Sequence, residues 1–277
     1  LKMMQETGEE DRLILNRPAK SKTEPTQDEA GPRWADLVKA SAPDRLSMYE
    51  DLLRDYGRHG KGIIQQVYAN ASTIITKPAT LSTLVTEIDK LDWYSVQRDD
   101  LGDLYEGLLE RNANEKKSGA GQYFTPRALI DSIVAVMQPA LGDVIQDPAA
   151  GTGGFLIAAN NYLREHIELD GLSEAQQRQY RHSTFSGMEL VQDTHRLALM
   201  NLLLHGIEGG IEFGDTLGEV GTRLPAATLV LSNPPFGTKK GGGLPTRTDF
   251  TYPTTNKQFC FLQHIYRALK PGGRAAV

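Results

Sequence analysis

Val144-Ile145-Gln146-Asp147-Pro148-Ala149-Ala150-Gly151-Thr152-Gly153-Gly154-Phe155 is the stretch on which the fold turns. Val144 to Asp147 has the length and apolar character of a short buried strand. A proline and a cluster of glycines then break it, and Leu156 to Leu163 follows with helical spacing. Strand, glycine-rich turn, helix is the layout of a nucleotide-type cofactor site, because glycines let a ligand approach the backbone closely. The dinucleotide fingerprint G-x-G-x-x-G is not met: Gly151 and Gly153 fit, but the third position is Leu156. An acid at the strand end with tightly clustered glycines suits S-adenosylmethionine better.

The same alternation continues outward. Thr184 to Met188 reads as a second strand, ending at Glu189. A helix from Thr194 through His205 follows, with Leu197, Met200, Leu203 and Leu204 expected on one apolar face. Ile211 to Gly214 leads to Asp215, and Thr228 to Leu231 leads to Asn233. Asp147, Glu189, Asp215 and Asn233 thus stand at or just beyond the carboxyl ends of four successive expected strands. In an open parallel sheet, ligands bind along that edge. The expected class is therefore α/β, a Rossmann-like sheet.

Ser232-Asn233-Pro234-Pro235-Phe236 caps the last of these strands. Two consecutive prolines fix φ and remove two backbone donors, so pairing must stop there. The turn then offers one side-chain amide, free carbonyls and one aromatic ring. Those groups suit a planar substrate with an exocyclic amine; a proline-stiffened loop with a capping asparagine is the plainer reading of the same residues.

Taken together, Asp147 to Phe155 and Asn233 to Phe236 resemble the amino-group DNA methyltransferases that make N6-methyladenine. Ser118-Gly119-Ala120-Gly121-Gln122-Tyr123-Phe124-Thr125-Pro126-Arg127 resembles the segment preceding the catalytic sheet in the modification subunit of type I restriction–modification systems. Asp100 to Glu106, Asn256 to Phe261 and Leu269 to Arg274 agree with that family, so the resemblance spans nearly the whole chain. It implies an S-adenosylmethionine-dependent methyltransferase sheet preceded by an all-α amino-terminal domain.

The resemblance also implies roles. Thr152, Gly153 and Gly154 would lie against the methionine end of the cofactor, with Asp147 and Gly151 shaping the turn. Glu189 would hold the ribose hydroxyls and Asp215 would face the adenine. Gln122, Tyr123, Phe124, Thr125, Pro126 and Arg127 would close over the methionine carboxylate and amine, with Arg127 as a counter-charge. Asn233 and Pro234 would accept the two hydrogens of adenine N6, and Phe236 would stack on a base flipped out of the duplex. The implied partners are DNA, a DNA-specificity subunit and a restriction subunit.

Composition adds a constraint. The 277 residues carry a formal net charge of −5. Phosphate contacts dominate DNA affinity, so an acidic chain without a long basic run suits a catalytic subunit whose specificity comes from a partner. Lys239, Lys240, Arg247 and Lys257 accompany a Gly/Pro/Thr-rich stretch from Gly237 to Thr255, read either as a loop or as a lid over the flipped base. The single cysteine, Cys260, excludes an internal disulfide and fits a cytoplasmic protein; its apolar helical setting marks a packed thiol. The histidines lack zinc-site spacing, so no metal is expected, and His195 and His205 read as structural. No run approaches membrane-spanning length.

The amino-terminal part, 1–115, reads as helical, ahead of a catalytic part, 116–277. Helices are expected over Arg45–Gly57, Gly62–Ala71, Ala79–Trp93 and Asp99–Asn112, with residues 9–33 a polar loop. Leu81, Leu84, Val85, Ile88 and Leu91 form one apolar face. Both ends look cut relative to the family: the chain enters partway along a helix and stops inside a strand. Two other readings stay open, a truncated non-catalytic assembly subunit and an RNA or protein-glutamine methyltransferase with an NPP motif.

Overall fold

The computed structural model of the chain describes residues 33–60, 62–91, 101–102, 104–109, 125–238 and 245–277. It divides into two compact units, Leu1–Asp100 and Leu101–Val277.

The first unit contains helices α1 (Trp34–Lys39), α2 (Ala42–His59), α3 (Ile63–Tyr68) and α4 (Pro78–Lys90). Ser41 starts α2 by accepting the Asp44 N–H, Pro43 occupies its first turn, and Gly60 follows its end. Arg45 donates to the carbonyls of Leu37, Val38 and Ala40 at 2.7, 2.8 and 2.9 Å, which satisfies the acceptors at the end of α1. Trp34, Leu37, Leu81 and Val85 form a core, with Ile88 packed against it, and the Trp34 indole donates to Asp89 at 2.7 Å. The apolar stripe of α4 is narrower than expected, because Leu84 and Leu91 lie on its flank and are exposed. The expected helix over Asp99–Asn112 is helical at 101–102 and 104–109; its remaining positions lie outside the described residues.

The second unit carries α5 (Arg127–Met137), β1 (Ile145–Asp147), α6 (Gly154–His166), α7 (Glu174–Ser183), β2 (Phe185–Glu189), α8 (Gln192–Leu204), β3 (Gly210–Phe213), β4 (Ala227–Leu231), α9 (Lys257–Ala268) and β5 (Leu269–Ala276). The five strands form one parallel sheet in the order β3-β2-β1-β4-β5. β1 lies at the centre, in register Ile145 to Phe185 on one side and Ile145 to Leu229 on the other. Its residues, like those of β2, are buried throughout, as a sheet covered on both faces requires. Chain order reverses between β1 and β4. Such a switch point opens a crevice at the carboxyl ends of the two strands, where the glycine turn and the Asn233 turn both emerge.

The face expected for α8 is corrected. His195, Ala198, Leu199, Asn201 and Leu202 are its buried residues, whereas Leu197 and Leu203 are exposed. Both faces of this helix carry leucines, so apolar spacing cannot choose between them. The choice falls to polar groups that find partners inside. His195 Nε2 lies 2.6 Å from the Ile211 carbonyl, and His205 Nδ1 lies 2.9 Å from that of Asn201. Both histidines have the structural settings expected of them. Cys260 is buried and packed with Leu217 and Phe261.

Candidate active site

Asp147 ends β1 with 1% of its surface exposed. Its Oδ1 accepts the Ser232 hydroxyl at 2.6 Å and the Ala149 N–H at 3.0 Å. Burial pushes this carboxyl up to about 7; the Ser232 and Ala149 hydrogen bonds oppose the rise and the nearby Glu189 carboxylate adds to it. Asp147 therefore works from beneath the turn, tying it to the strand that carries Asn233.

Gly151 and Gly153 both have left-handed backbones, with φ of 56° and 85°. Gly153 caps the start of α6, and a Cβ on it would stand 2.7 Å from Leu202 Cδ1. Over Gly151, by contrast, a Cβ would meet nothing within 4 Å. The turn is thus packed tightly from below and open above. Its shape is held by the Gly153 N–H on the Ala150 carbonyl at 2.8 Å and by Asn201 Nδ2 donating to the Thr152 carbonyl at 3.0 Å.

Glu189 ends β2, largely buried. Its Oε2 accepts the Gly151 N–H at 3.0 Å and its Oε1 the Val191 N–H at 2.7 Å. Burial raises its pKa, against the pull of those backbone donors. The carboxylate keeps acceptor capacity for a hydroxyl beyond these backbone donors. Asp215, beyond β3, is half-buried, and its Oδ1 accepts the Leu217 N–H at 2.9 Å. Across the same edge, the Thr216 hydroxyl donates to the Pro148 carbonyl at 2.5 Å.

Beyond β4, Ser232 and Pro234 are buried, whereas Asn233 is exposed and Phe236 keeps 66% of its surface in solvent. Asn233 Nδ2 donates to Thr125 Oγ1 at 3.0 Å. The start of α9 clamps the far side of the turn. The Gly237 N–H donates to Gln258 Oε1 at 3.2 Å, and the Lys257 N–H donates to the Gly237 carbonyl at 2.9 Å.

Of the segment expected over the cofactor, Gln122, Tyr123 and Phe124 lie outside the described residues. Pro126 caps α5, its carbonyl accepting the Leu129 N–H at 3.0 Å. Arg127 is ion-paired with Glu106 and with Asp131, the latter at 3.1 Å, so its charge is already matched by two carboxylates.

Arg247, grouped in the sequence with Lys239, Lys240 and Lys257, is not a solvent-facing basic group. Only 8% of it is exposed. It forks onto Asp249 at 2.7 and 2.5 Å, lies over the Phe250 ring, and donates to His264 Nδ1 at 2.6 Å. His264 Nε2 in turn donates to Gln146 Oε1 at 3.1 Å, and Gln146 Nε2 donates to the Pro225 carbonyl at 2.7 Å. Burial and the Arg247 charge hold His264 down to about 4, so it stays neutral and this chain of donors keeps one direction. Arg247 is thereby tied to Gln146 in the middle of the sheet. Lys239 and Lys240 lie outside the described residues.

Ser232, Asn201 and Gln258 also shape the site, although sequence reasoning passed over them. A serine closing an apolar strand, and an asparagine set among Met200, Leu202 and Leu203, were the available signals. Among the described residues, no group of three or more potential metal ligands converges.

A central β1 flanked by β2 and β4, with a glycine turn after β1 and an acid ending β2, defines the fold of S-adenosylmethionine-dependent methyltransferases. The chain belongs to the N-6 DNA methylase family, whose sequence profile matches residues 96–277. It is 47% identical over 288 aligned residues to the type I restriction enzyme EcoKI methylase subunit of Escherichia coli (strain K12), covering 100% of this chain and 51% of that protein. The crystal structure of the EcoKI M protein superposes with a TM-score of 0.52 at 40% identity, covering 99% of this chain and 49% of the other. A type I restriction–modification methyltransferase subunit from Streptococcus thermophilus matches in fold, with a TM-score of 0.67 at 23% identity over 87% of this chain and 54% of that one. The chain spans about half the length of the curated relatives it matches.

Proposed function

We propose that the protein is the modification subunit of a type I restriction–modification system, methylating the N6 amine of an adenine flipped out of DNA. The observation that carries this reading is the junction of the two motifs. The Asn233-Pro234-Pro235-Phe236 turn, exposed at Asn233 and Phe236, and the glycine turn leave neighbouring strands β4 and β1, and Ser232 bonded to Asp147 locks them together. Family membership and the relatives above support DNA as the substrate class.

The residues present fit S-adenosylmethionine as cofactor. The open space over Gly151 leaves room for a ligand against the backbone, and the remaining acceptor capacity of Glu189 suits a ribose hydroxyl. Thr152, Gly153 and Gly154, at the amino end of α6, suit a carboxylate, since the helix dipole favours negative charge there. Asp215 lies along the same edge for the adenine. Thr125 and Pro126 stand before α5, and with Gln122, Tyr123, Phe124 and Arg127 they make up the segment assigned to the methionine end. Arg127 would have to share its existing carboxylates for that role. When bound, the cofactor supplies an electrophilic methyl group.

The chain's own residues handle the amine. The lone pair of adenine N6 is delocalised into the ring, which makes it a poor nucleophile. The Asn233 side-chain oxygen and the Pro234 carbonyl accept its two hydrogens and localise the lone pair on nitrogen, out of conjugation with the ring. Positive charge grows on the nitrogen as it reacts, and these fixed acceptor dipoles stabilise that charge. The exposed ring of Phe236 gives the base a face to stack on. Holding the amine in one orientation contributes much of the remaining acceleration.

With a net charge of −5, the protein needs partners for tight, site-specific DNA binding, which a DNA-specificity subunit supplies; a restriction subunit completes such a system. Among the described residues no helix is long and apolar enough to cross a membrane, and we place the protein in the cytoplasm with its DNA.

The test is calorimetric titration with S-adenosylmethionine, beside transfer of labelled methyl to DNA by the full-length protein with its specificity subunit. Asn233→Ala is expected to keep cofactor affinity and lose transfer. Loss of both together, or label appearing on cytosine, RNA or protein, would overturn the reading.

A further inference from the structure

We infer that Gln258 is a positioning residue for methyl transfer: through the peptide bond between Phe236 and Gly237 it sets the direction of the Phe236 ring on which the flipped base stacks. This rests on the adenine-amine reading above and adds to that machinery a side chain from the start of α9.

The ring needs a hold from outside itself. Phe236 keeps 66% of its surface in solvent, so side-chain packing does little to orient it. Pro234 and Pro235 have φ fixed by their own rings, and Phe236 has no such constraint. The next residue, Gly237, has φ of 97°, and a Cβ on it would meet nothing within 4 Å. Glycine is thus required there for its backbone conformation and not for space. It is also the residue that holds any one conformation least firmly by itself.

Both polar backbone groups of Gly237 are held from the start of α9. Its N–H donates to Gln258 Oε1 at 3.2 Å, and its carbonyl accepts the Lys257 N–H at 2.9 Å. Thr238 and Asn256 pair beside them as an antiparallel bridge. Of these contacts, the Gln258 bond is the one made by a side chain. It also bears most directly on Phe236. The Gly237 N–H lies in the same peptide plane as the Phe236 carbonyl, so holding it fixes ψ of Phe236. A backbone N–H can only donate, and Gln258 must therefore meet it with Oε1.

Gln258 itself stands on a firm base. Asn256 caps α9, its Oδ1 accepting the Phe259 N–H at 3.1 Å, and Cys260 and Phe261 just beyond are buried. At its other end the turn hangs from β4, where the Ser232 N–H donates to the Ala276 carbonyl at 3.2 Å and the Ser232 hydroxyl donates to Asp147. The substrate turn is thus held by the sheet before Asn233 and by α9 after Phe236. A turn fixed at both ends can present its amide and its ring in one relative orientation, which is what placing a base for transfer requires.

The experiment is a double-mutant cycle between Gln258→Leu and Phe236→Ala, with Gln258→Glu as the conservative variant, in the full-length protein with its specificity subunit. Phe236→Leu replaces Phe236→Ala where alanine leaves no measurable rate. Cofactor affinity is read by calorimetry, and kcat and KM by transfer of labelled methyl to DNA. Leucine removes the acceptor for the Gly237 N–H; glutamate keeps one. Gln258→Leu is expected to lower kcat about fivefold, the scale of one lost hydrogen bond, with cofactor affinity unchanged. KM for DNA should change little, since phosphate contacts dominate that affinity. Gln258→Glu should recover most of kcat. Once the Phe236 ring is removed, Gln258→Leu should cost nothing further, because the group through which it acts is gone. Wild-type kcat in Gln258→Leu would overturn the inference, as would a Gln258→Glu variant no faster than Gln258→Leu. So would losses that multiply in the double variant, which would place the effect of Gln258 elsewhere than the ring. A fall in cofactor affinity that tracks the loss of rate would likewise make Gln258 a general support of the fold. A wild-type protein that leaves adenine unmodified defeats the functional reading itself, and the inference with it, before any variant is compared.

Discussion

Ser232 donates its hydroxyl to the buried carboxyl group of Asp147 across 2.6 Å, so the last residue of β1 and the first residue beyond β4 share a hydrogen. Neither side chain reaches solvent appreciably, at 1% exposure each. The bond couples the glycine turn to the Asn233 turn at the point where the sheet order reverses.

Removing the hydroxyl should therefore damage both turns. Ser232→Ala leaves the Asp147 carboxyl without its side-chain donor in a buried site. A loss of about 1–3 kcal/mol is expected in urea unfolding. Cofactor affinity should fall in the same variant, although the Ser232 hydroxyl is bonded to Asp147. Unaltered stability and affinity would show that the two turns stand independently.

Asp147 also predicts how stability responds to pH. In the folded chain its pKa is raised from 3.8 to about 7 by burial. Between those values the folded state holds a proton that the unfolded state has released, so this contribution is full below the unfolded value and is lost as pH rises to about 7. The decline amounts to something on the order of 4 kcal/mol across that window. Unfolding followed between pH 4.5 and pH 8 should show it, and Asp147→Asn should flatten the profile by removing the titration. A profile identical in wild type and variant would place the proton elsewhere.

Gly153 accepts a side chain only under strain. Alanine there must hold a left-handed backbone and also displace Leu202, whose Cδ1 lies 2.7 Å from the new Cβ. Backbone strain and overpacking together should cost at least about 2 kcal/mol. Calorimetry should find little or no cofactor binding by Gly153→Ala. Full affinity would mean that the turn has another conformation available to it.

Arg247 separates a structural cation from a DNA-contacting one. Arg247→Ala leaves Asp249 paired with Arg267 alone and removes the donor to His264. Because Asp249 is partly exposed, a loss of roughly 2–3 kcal/mol is expected, below that of a fully buried pair. The salt dependence of DNA binding should keep its wild-type slope, whereas removing a phosphate contact would reduce it. A shallower slope without destabilisation would make Arg247 a phosphate contact instead.

Much of the architecture was legible in the residues. Each expected strand from Val144 to Leu231 lies within a residue or two of its observed bounds, because short apolar runs closed by Gly, Pro or an acid leave few alternatives. The four polar strand-end positions do share one edge. The glycine turn and the proline turn were readable because backbone chemistry alone requires those residue types at those places.

What the sequence determined by itself is therefore local: the kind of each element, where it stops, and which residues stand at its tip. The buried face of α8 was decided only in three dimensions, since both faces carry leucines and the partners of His195 and Asn201 come from other segments. The burial of Arg247 was decided there too, by Asp249, His264 and the Thr216 carbonyl folding around it. So were the bonds of Ser232 to Asp147 and Asn233 to Thr125, which join residues 85 and 108 positions apart. Periodicity and turn chemistry act over a few residues. A hydrogen bond between strand ends depends on which strands the sheet brings side by side, and that is a property of the packed chain.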